Sequence, residues 1–223
     1  MDEAKTFDKM PLIGDKAPAF RAMTSKGKIN FPDDYKGSWV VLFSHPADFT
    51  PVCTTEFIGF SKLTDEFAEV NTKLLGLSID SLASHLAWEK SIENISWNGE
   101  KPVKVTFPII ADVSMKVANM YGMLQTVAST QTVRAVFIID PNSEIRAILY
   151  YPMSTGRNLK EILRMIKALQ LHDKEGVSTP ADWQPGDDAL LGAPLTLDEA
   201  EERMEDKSGE IEPLEWYLTL KKL

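Results

Sequence analysis

Two continuous apolar runs, residues 39–43 and 74–79, have the length and character of strands that are buried on both faces. Between them, apolar side chains recur at spacings of three and four residues, which is the pattern of one helix face. These positions are Cys53, Phe57, Phe60, Leu63, Phe67 and Val70. The pattern therefore predicts a strand, a loop, a helix that begins near Cys53, and a second strand.

The segments on either side continue this alternation. The first 35 or so residues carry glycine and prolines between short alternating stretches, which predicts a hairpin and a loop. Ser81 is placed to cap a helix over residues 81–92. Residues 107–110 are predicted to be extended, and residues 113–121 to form a short helix.

Residues 135–139 and 145–150 are predicted strands, and the prolyl turn between them indicates a hairpin. Asn158, with Glu161 three residues later, then resembles a capping pair that opens a helix. The apolar face of this helix is Leu159, Ile162, Leu163, Ile166 and Leu169.

Strands that alternate with helices and end in a hairpin and a helix predict an α/β fold with a mixed central sheet flanked by helices. After His172 the pattern changes, because prolines and glycines interrupt it until Thr196, which with Glu199 caps a short acidic helix. We expect one domain over residues 1–172 and a carboxyl-terminal extension over 173–223. The extension is too small and polar to bury a core of its own, so we expect it to pack on the first domain or on a partner subunit.

Composition narrows the classes of function. The chain has 223 residues, of which 43% are hydrophobic and 26% charged, as in globular proteins. Its net charge of −9 argues against a nucleic-acid partner, and no apolar run approaches the ~20 residues of a membrane span. The first six residues lack the basic and apolar stretches of a secretory signal, so we expect a cytoplasmic protein.

Cys53 is the single cysteine of the chain. By count alone it is a small buried hydrophobe, but its predicted place in the first turn of a helix changes that interpretation. Unpaired amides and the positive end of the helix dipole favour an anion there, and a thiolate is the nucleophilic form of cysteine. Thr50 lies three residues upstream, and Pro46 and Pro51 stiffen the loop.

Residues 46–53, PADFTPVC, resemble the active-site motif of peroxiredoxins, Pro-x-x-x-Thr-x-x-Cys. The flanking residues FSH and TTE are similar to the peroxiredoxin 6 subfamily. Further similar stretches follow in order along most of the chain, which makes the resemblance specific. They are LSID at 77–80, HLAW at 85–88, FPII at 107–110, YP with TGRN at 151–158, and TPADW at 179–183.

The resemblance implies a thioredoxin-like fold and a one-cysteine thiol peroxidase. Cys53 would be the peroxidatic thiol, Thr50 would position the peroxide, and Arg134 would lie against the sulfur. The supporting residues implied for Arg134 and the substrate pocket are Glu56, Arg157, His45 and Pro46.

The same resemblance implies the partners. The substrates would be hydrogen peroxide and organic hydroperoxides, and an external thiol or redox protein would be the reductant. We expect no cofactor and no metal. The family forms homo-oligomers, either dimers or rings of dimers.

Several of these residues also have plain structural interpretations. Arg134, at the start of a strand, can be interpreted as a charge on the protein surface. Glu56 can be interpreted as an acidic residue that interacts favourably with the amino end of a helix. His45 fits a buried structural histidine. The other two histidines, His85 and His172, are interpreted as structural.

Two other classes of function fit these residues less well. Some relatives are described as phospholipases with a Ser-His-Asp set, and Ser38 matches that serine, but the other two positions hold Pro32 and Asn142, which cannot act as base or acid. The other is a non-enzymatic role, as a chaperone-like oligomer, a redox-inert binder or a redox-sensing protein. In a chaperone-like or redox-inert protein the Thr50, Cys53 and Arg134 set would be idle.

The chain has no second cysteine that could react with an oxidised Cys53. Archaeal relatives carry a Cys-x-x-Trp-Trp-x-Cys pattern near the carboxyl end, and here Pro213 and Thr219 replace its cysteines. A sulfenic acid at Cys53 would therefore need a thiol from another molecule.

Overall fold

A computed structural model describes residues 10–124 and 130–223 of the protein. The chain forms two compact units, of which the first ends at Leu159 and the second is Lys160–Leu223. The amino-terminal residues on which the cytoplasmic prediction rests lie outside the described ranges. Within those ranges, no helix has the length and apolar character needed to cross a membrane.

A seven-stranded mixed sheet forms the centre of the first unit, in the order β2-β1-β5-β4-β3-β6-β7. β3, β4 and β5 are mutually parallel, and the remaining pairs are antiparallel. The strands are β1 (Phe20–Thr24), β2 (Gly27–Phe31), β3 (Trp39–Ser44), β4 (Thr72–Ser78), β5 (Ile109–Ala111), β6 (Arg134–Ile139) and β7 (Ile145–Tyr151). The predicted α/β class with a mixed central sheet is confirmed.

The helices of this unit connect its parallel strands or flank the sheet. They are α1 (Pro51–Lys62), α2 (Thr64–Glu69), α3 (Leu82–Ile92) and α4 (Lys116–Met120), and α5 (Leu159–Glu175) begins at the last residue of the unit. Ser81 caps α3 as predicted, because its hydroxyl accepts a hydrogen bond from the Ser84 amide.

β3 is buried along its whole length because both faces of the sheet are covered. Leu42 belongs to a core on one face, and Phe43 points to the other face. There the Phe43 ring stacks on Phe60 with centroids 4.2 Å apart, and Phe57 and Phe107 complete the group. This aromatic packing fixes α1 against the end of β3.

The single helix predicted from Cys53 to Val70 is wrong in one respect, because it breaks at Leu63 into α1 and α2. The Phe60 carbonyl accepts hydrogen bonds from both the Leu63 amide, at 3.1 Å, and the Thr64 hydroxyl, at 3.1 Å. Such side-chain competition for a helix carbonyl disrupts the regular ladder.

The second unit contains the rest of α5, the acidic helix α6 (Leu197–Glu205) and a three-stranded antiparallel sheet. The sheet order is β8-β10-β9, with β8 (Ala189–Leu190), β9 (Ile211–Glu215) and β10 (Leu218–Lys221). The cap of α6 is confirmed, since the Thr196 hydroxyl accepts from the Glu199 amide.

The sequence pattern does not predict this small sheet, because its strands are only two to five residues long and one of them contains Pro213. The domain boundary after residue 172 stays a prediction, and α5 continues through that position to Glu175.

Candidate active site

Cys53 lies in the first turn of α1, as the sequence predicts. Pro51 is the first helical residue and Thr50 precedes it in an extended conformation. The helix ladder begins with the Thr54 amide, which donates to the Thr50 carbonyl at 3.0 Å. The amides of Val52 and Cys53 therefore have no acceptor inside the helix and face its open end. The Cys53 thiol is free and buried.

The loop before α1 is held in a sharp reversal. Phe49 has a φ of 56°, in the left-handed region that a bulky residue adopts only when its surroundings enforce it. The Asp48 amide next to it donates to the Asp80 carboxylate at 3.0 Å. Thr50 donates its hydroxyl hydrogen to the Ala47 carbonyl at 2.8 Å, so the oxygen keeps only lone pairs for other partners.

Arg134 reaches the sulfur from the start of β6. Its Nη1 lies 3.3 Å from the Cys53 Sγ and 2.8 Å from Glu56 Oε2. Its Nε and Nη2 donate to the Met153 carbonyl at 3.0 and 2.8 Å. Only 3% of Arg134 is exposed, so this guanidinium is a fixed buried charge and not a surface one.

Glu56 lies between two guanidinium groups. Its Oε1 accepts from the Arg157 amide and Nε, both at 2.9 Å, and its Oε2 accepts from Arg157 Nη2 at 2.7 Å as well as from Arg134. Burial raises the pKa of Glu56, but the charge and hydrogen bonds of Arg157, with the charge of Arg134, outweigh burial and hold the pKa below its ordinary value.

Arg157 connects this group to the sheet. Its Nη1 donates to the carbonyls of Ser44, at 3.0 Å, and Ala135, at 3.1 Å, and its guanidinium lies over the Phe43 ring at 5.1 Å. The three side chains at this point carry two positive charges and one negative charge. The buried group thus has one surplus positive charge, and the Cys53 sulfur is its neighbour.

His45 follows β3 and is completely buried. Its ring stacks on Trp88 at 5.1 Å and meets the edge of Phe57 at 4.8 Å. Its Nε2 lies 2.8 Å from Asp48 Oδ1. Burial lowers the pKa of His45, and the hydrogen bond and charge of Asp48 oppose that shift only in part. Pro46, the next residue, is buried as well.

The sequence analysis interprets His85 as structural and gives Asp48 no role, and the structure brings both together with His45. His85 is buried on α3, with Nδ1 2.8 Å from Asp48 Oδ2 and Nε2 3.1 Å from the Ile110 carbonyl. The facing nitrogen and oxygen atoms of His45, Asp48 and His85 lie within 4.8 Å of one another, and the two hydrogen bonds to the Asp48 carboxylate account for this grouping. A signal was present, because Asp48 lies within the active-site motif and His85 opens one of the similar stretches.

An apolar concavity of about 700 Å³ lies beside the amino end of α1. Residues of the active-site loop, the first turns of α1 and the end of α3 line it. They include Phe49, Thr50, Val52, Ile58, Trp88 and Trp97. This surface offers room for an apolar group next to Thr50.

Comparison with protein families gives two matches along the chain. Residues 13–148 match the AhpC/TSA family, and residues 168–207 match the C-terminal domain of 1-Cys peroxiredoxin. The first match covers more than half of the 223 residues.

Individual relatives align over almost the whole chain. A protein named peroxiredoxin from Methanosarcina mazei is 56% identical over 215 residues, which are 96% of this chain and 98% of the relative. A peroxiredoxin from Aquifex aeolicus is 46% identical, with 96% and 98% covered.

Solved structures agree with these relatives. The yeast mitochondrial 1-Cys peroxiredoxin superposes with a TM-score of 0.83 at 45% identity, over 96% of this chain and 100% of that one. A cysteine-to-serine mutant of peroxiredoxin 6 from Arenicola marina gives 0.82 at 36% identity, over 95% and 98%. The implied thioredoxin-like fold is thereby confirmed. With a single cysteine at the start of α1 and both matches in order, the chain belongs to the AhpC/TSA family as a 1-Cys peroxiredoxin, a thiol peroxidase.

Proposed function

We propose that this peroxidase reduces hydrogen peroxide and organic hydroperoxides through Cys53, which becomes a sulfenic acid and is recycled by an external thiol. The observation that carries the proposal is the 3.3 Å contact between Arg134 and the Cys53 sulfur within a buried group that has a surplus positive charge. Such a group stabilises a negative charge on the sulfur and on the reacting oxygens.

In the reaction, the Cys53 thiolate attacks the terminal oxygen of the hydroperoxide, forms the S–O bond and breaks the O–O bond. The second oxygen departs with the electron pair and takes up a proton to become water or an alcohol. Thr50 orients the substrate by accepting its O–H hydrogen, because the hydrogen of Thr50 itself is committed to Ala47. Arg134 and the Val52 and Cys53 amides face the developing charge.

The magnitudes show why the site needs more than an ionised thiol. A free thiol with a pKa of ~8.5 is a few per cent ionised at neutral pH, so full ionisation gains at most ~30-fold. Preorganised donors aimed at a developing oxyanion contribute about 3–4 kcal/mol each. Stabilisation of the departing oxygen is therefore the larger effect.

The reaction also has to move a proton. The thiol of Cys53 loses one before attack, and the departing oxygen gains one after it. His45, which we propose to line the pocket with Pro46, is the candidate acceptor and donor for this proton. Its low pKa keeps it neutral and thus able to accept.

The second half of the cycle requires another molecule. With Cys53 as the only cysteine, no disulfide forms within the chain. The yeast mitochondrial 1-Cys peroxiredoxin is described as resolved through glutathione and thioredoxin systems. We propose the same chemical class of reductant here, a small thiol or a redox protein, which forms a mixed disulfide that a second thiol releases.

The alternatives have less support. For lipid hydrolysis, the Ser38 hydroxyl bonds to the Asn71 amide oxygen at 3.3 Å and not to a base. A chaperone-like role does not use the contacts among Cys53, Arg134 and Glu56, and a redox-sensing role would use them without catalytic turnover. The cytoplasmic location stays a prediction.

Without reductant, we expect one equivalent of peroxide to be consumed per Cys53 and turnover then to stop. Further peroxide should carry the sulfur to sulfinic acid. Peroxide consumption followed together with intact mass checks this outcome, and the nearly isosteric Cys53→Ser is the matched control, which should consume none. Sustained turnover without a thiol, or activity in Cys53→Ser, would contradict the proposed cycle.

Arg134→Met should slow peroxide attack more than the change in thiolate fraction explains, because the guanidinium also stabilises the transition state. We expect a loss of about a hundredfold or more in the second-order rate constant at a pH where Cys53 is fully ionised. Arg21→Met, at an exposed arginine of β1, is the control. A rate loss that only follows ionisation at each pH would remove the transition-state role.

Trp97→Ala should discriminate between substrates, because Trp97 lines the apolar concavity and not the sulfur contact. We expect the KM for cumene hydroperoxide to rise about threefold to tenfold, as for a lost apolar contact of about 1 kcal/mol, with little change for hydrogen peroxide. Equal effects on both substrates would show that the concavity does not hold the organic group.

We propose that the protein is a homo-oligomer, either a dimer or a ring of dimers. Apolar side chains of the second unit are exposed, among them Leu195 at 93% and Leu197 at 82%, which supports contact with a second copy. Light scattering at micromolar concentration should give at least twice the chain mass of 24.9 kDa. A monomer would refute the assembly.

A further inference from the structure

A second buried polar group adjoins α1 through the contact of His45 with Phe57, and its parts come from three regions of the fold. His45 and Asp48 belong to the loop after β3, His85 to α3, and the Ile110 carbonyl to β5. The side chains of the two histidines are 0% exposed and that of Asp48 is 1% exposed. The hydrogen bonds of this group must therefore be accounted for within the protein.

Hydrogen-bond counting fixes the protons of His85. The Ile110 carbonyl only accepts, so His85 Nε2 at 3.1 Å carries a hydrogen. An ionised Asp48 also only accepts, so His85 Nδ1 at 2.8 Å carries a second one. His85 is then an imidazolium paired with the Asp48 carboxylate.

The same counting fixes His45. Its Nε2 lies 2.8 Å from the other Asp48 oxygen and carries a hydrogen. Its Nδ1 is buried and has no hydrogen-bond partner among the residues that the structure describes. A hydrogen on Nδ1 would be an unsatisfied buried donor and would add a second positive charge, whereas a bare nitrogen leaves the group neutral overall.

Electrostatics agree with this assignment. Burial raises the pKa of Asp48, but the hydrogen bonds from His45 and His85 outweigh burial and hold the pKa well below its ordinary value. The carboxylate form is thus retained, and the lowered pKa of His45 favours its neutral form.

The group is close to the first turn of α1. The His45 ring contacts Phe57, which is four residues after Cys53 on the same helix face and leans toward the helix amino end. The ring also stacks on Trp88, whose indole N–H donates to the Thr54 hydroxyl at 3.2 Å, next to Cys53 in the chain.

We propose that Asp48 and His85 are positioning residues of the peroxidase, which hold His45 as the Nε2–H tautomer so that its bare Nδ1 can accept the proton that Cys53 releases. The inference rests on the proposed function. In this arrangement a buried carboxylate, Asp48, orients the base, His45, as in a catalytic triad. His85 supplies the positive charge that balances the carboxylate.

Nitrogen–proton NMR of the reduced protein with isotopically labelled histidine tests the assignment without any change at the site. The chain has three histidines, and His172→Gln removes the signals of the exposed one. We expect His45 to show a protonated Nε2 and a bare Nδ1, and His85 to show two protonated nitrogens. A hydrogen on His45 Nδ1, or one equivalent of bound divalent metal in elemental analysis, would overturn the proposal.

Two substitutions at Asp48 test the consequence for catalysis. Asp48→Ala removes the acceptor for His45 Nε2, and we expect the rate constant of Cys53 oxidation to fall about tenfold or more, as for a misoriented base. Asp48→Asn should lose only about threefold, because its amide oxygen can accept from His45 while its nitrogen donates to a neutral His85. His172→Gln should react like the wild type.

The outcomes separate this inference from the proposed function. If wild-type Cys53 is not oxidised by peroxide, the proposed function fails, whatever the NMR spectra show. If wild-type Cys53 is oxidised but Asp48→Ala reacts at the same rate, or both Asp48 variants lose rate only in step with their melting temperatures, the positioning role fails. If Asp48→Ala does not fold, the NMR spectra of the wild type still test the proposal, because they show whether His45 Nδ1 carries a hydrogen.

Discussion

The arrangement at Cys53 depends on an uncompensated positive charge that the fold has buried. Arg134 and Arg157 contribute two positive charges and Glu56 one negative charge, and each of these residues is less than 10% exposed. A buried charge is unfavourable unless a partner of opposite sign lies close by. The Cys53 sulfur, 3.3 Å from Arg134, is in a position to be that partner as a thiolate. The buried positive charge and the amino end of α1 thus both favour the thiolate form of Cys53.

The central sheet keeps this charge in place. β6 carries Arg134 at its first residue, and Arg157 bonds to carbonyls of the neighbouring strands β3 and β6 through Ser44 and Ala135. Glu56 lies one turn after Cys53 on α1, so it reaches both arginines while the sulfur faces Arg134. Because every partner belongs to a regular element or bonds directly to one, the donors are preorganised and need little rearrangement during the reaction.

The second group, built on Asp48, complements the first. The group contains two histidines and one carboxylate, all buried, and its net charge is zero when one histidine is an imidazolium. It therefore needs no further negative charge to balance it. It offers a proton acceptor instead. Together, the surplus positive charge and the neutral base can accommodate the thiolate and the proton that it releases, which are the two products of thiol ionisation.

The sequence by itself determined the features that depend on neighbouring residues. The apolar run of β3, the hairpin of β6 and β7, and the Ser81 and Thr196 caps all follow from patterns within a few positions. So does the place of Cys53 in the first turn of α1. The resemblance to peroxiredoxins then brought Arg134 and its partners into consideration, although no local pattern distinguished that arginine from a surface charge.

Only the tertiary structure decided how distant residues combine. Asp48 and His85 are 37 positions apart, and Arg157 and Ser44 are 113 apart, so no local period relates them. The surplus charge at Cys53 and the proton assignment of His45 emerge only when all partners of each buried group are counted. The break at Leu63 was not predicted, because it depends on a side-chain hydrogen bond from Thr64 and not on the apolar pattern. The small sheet of the second unit was not predicted either, because it depends on pairing between short strands.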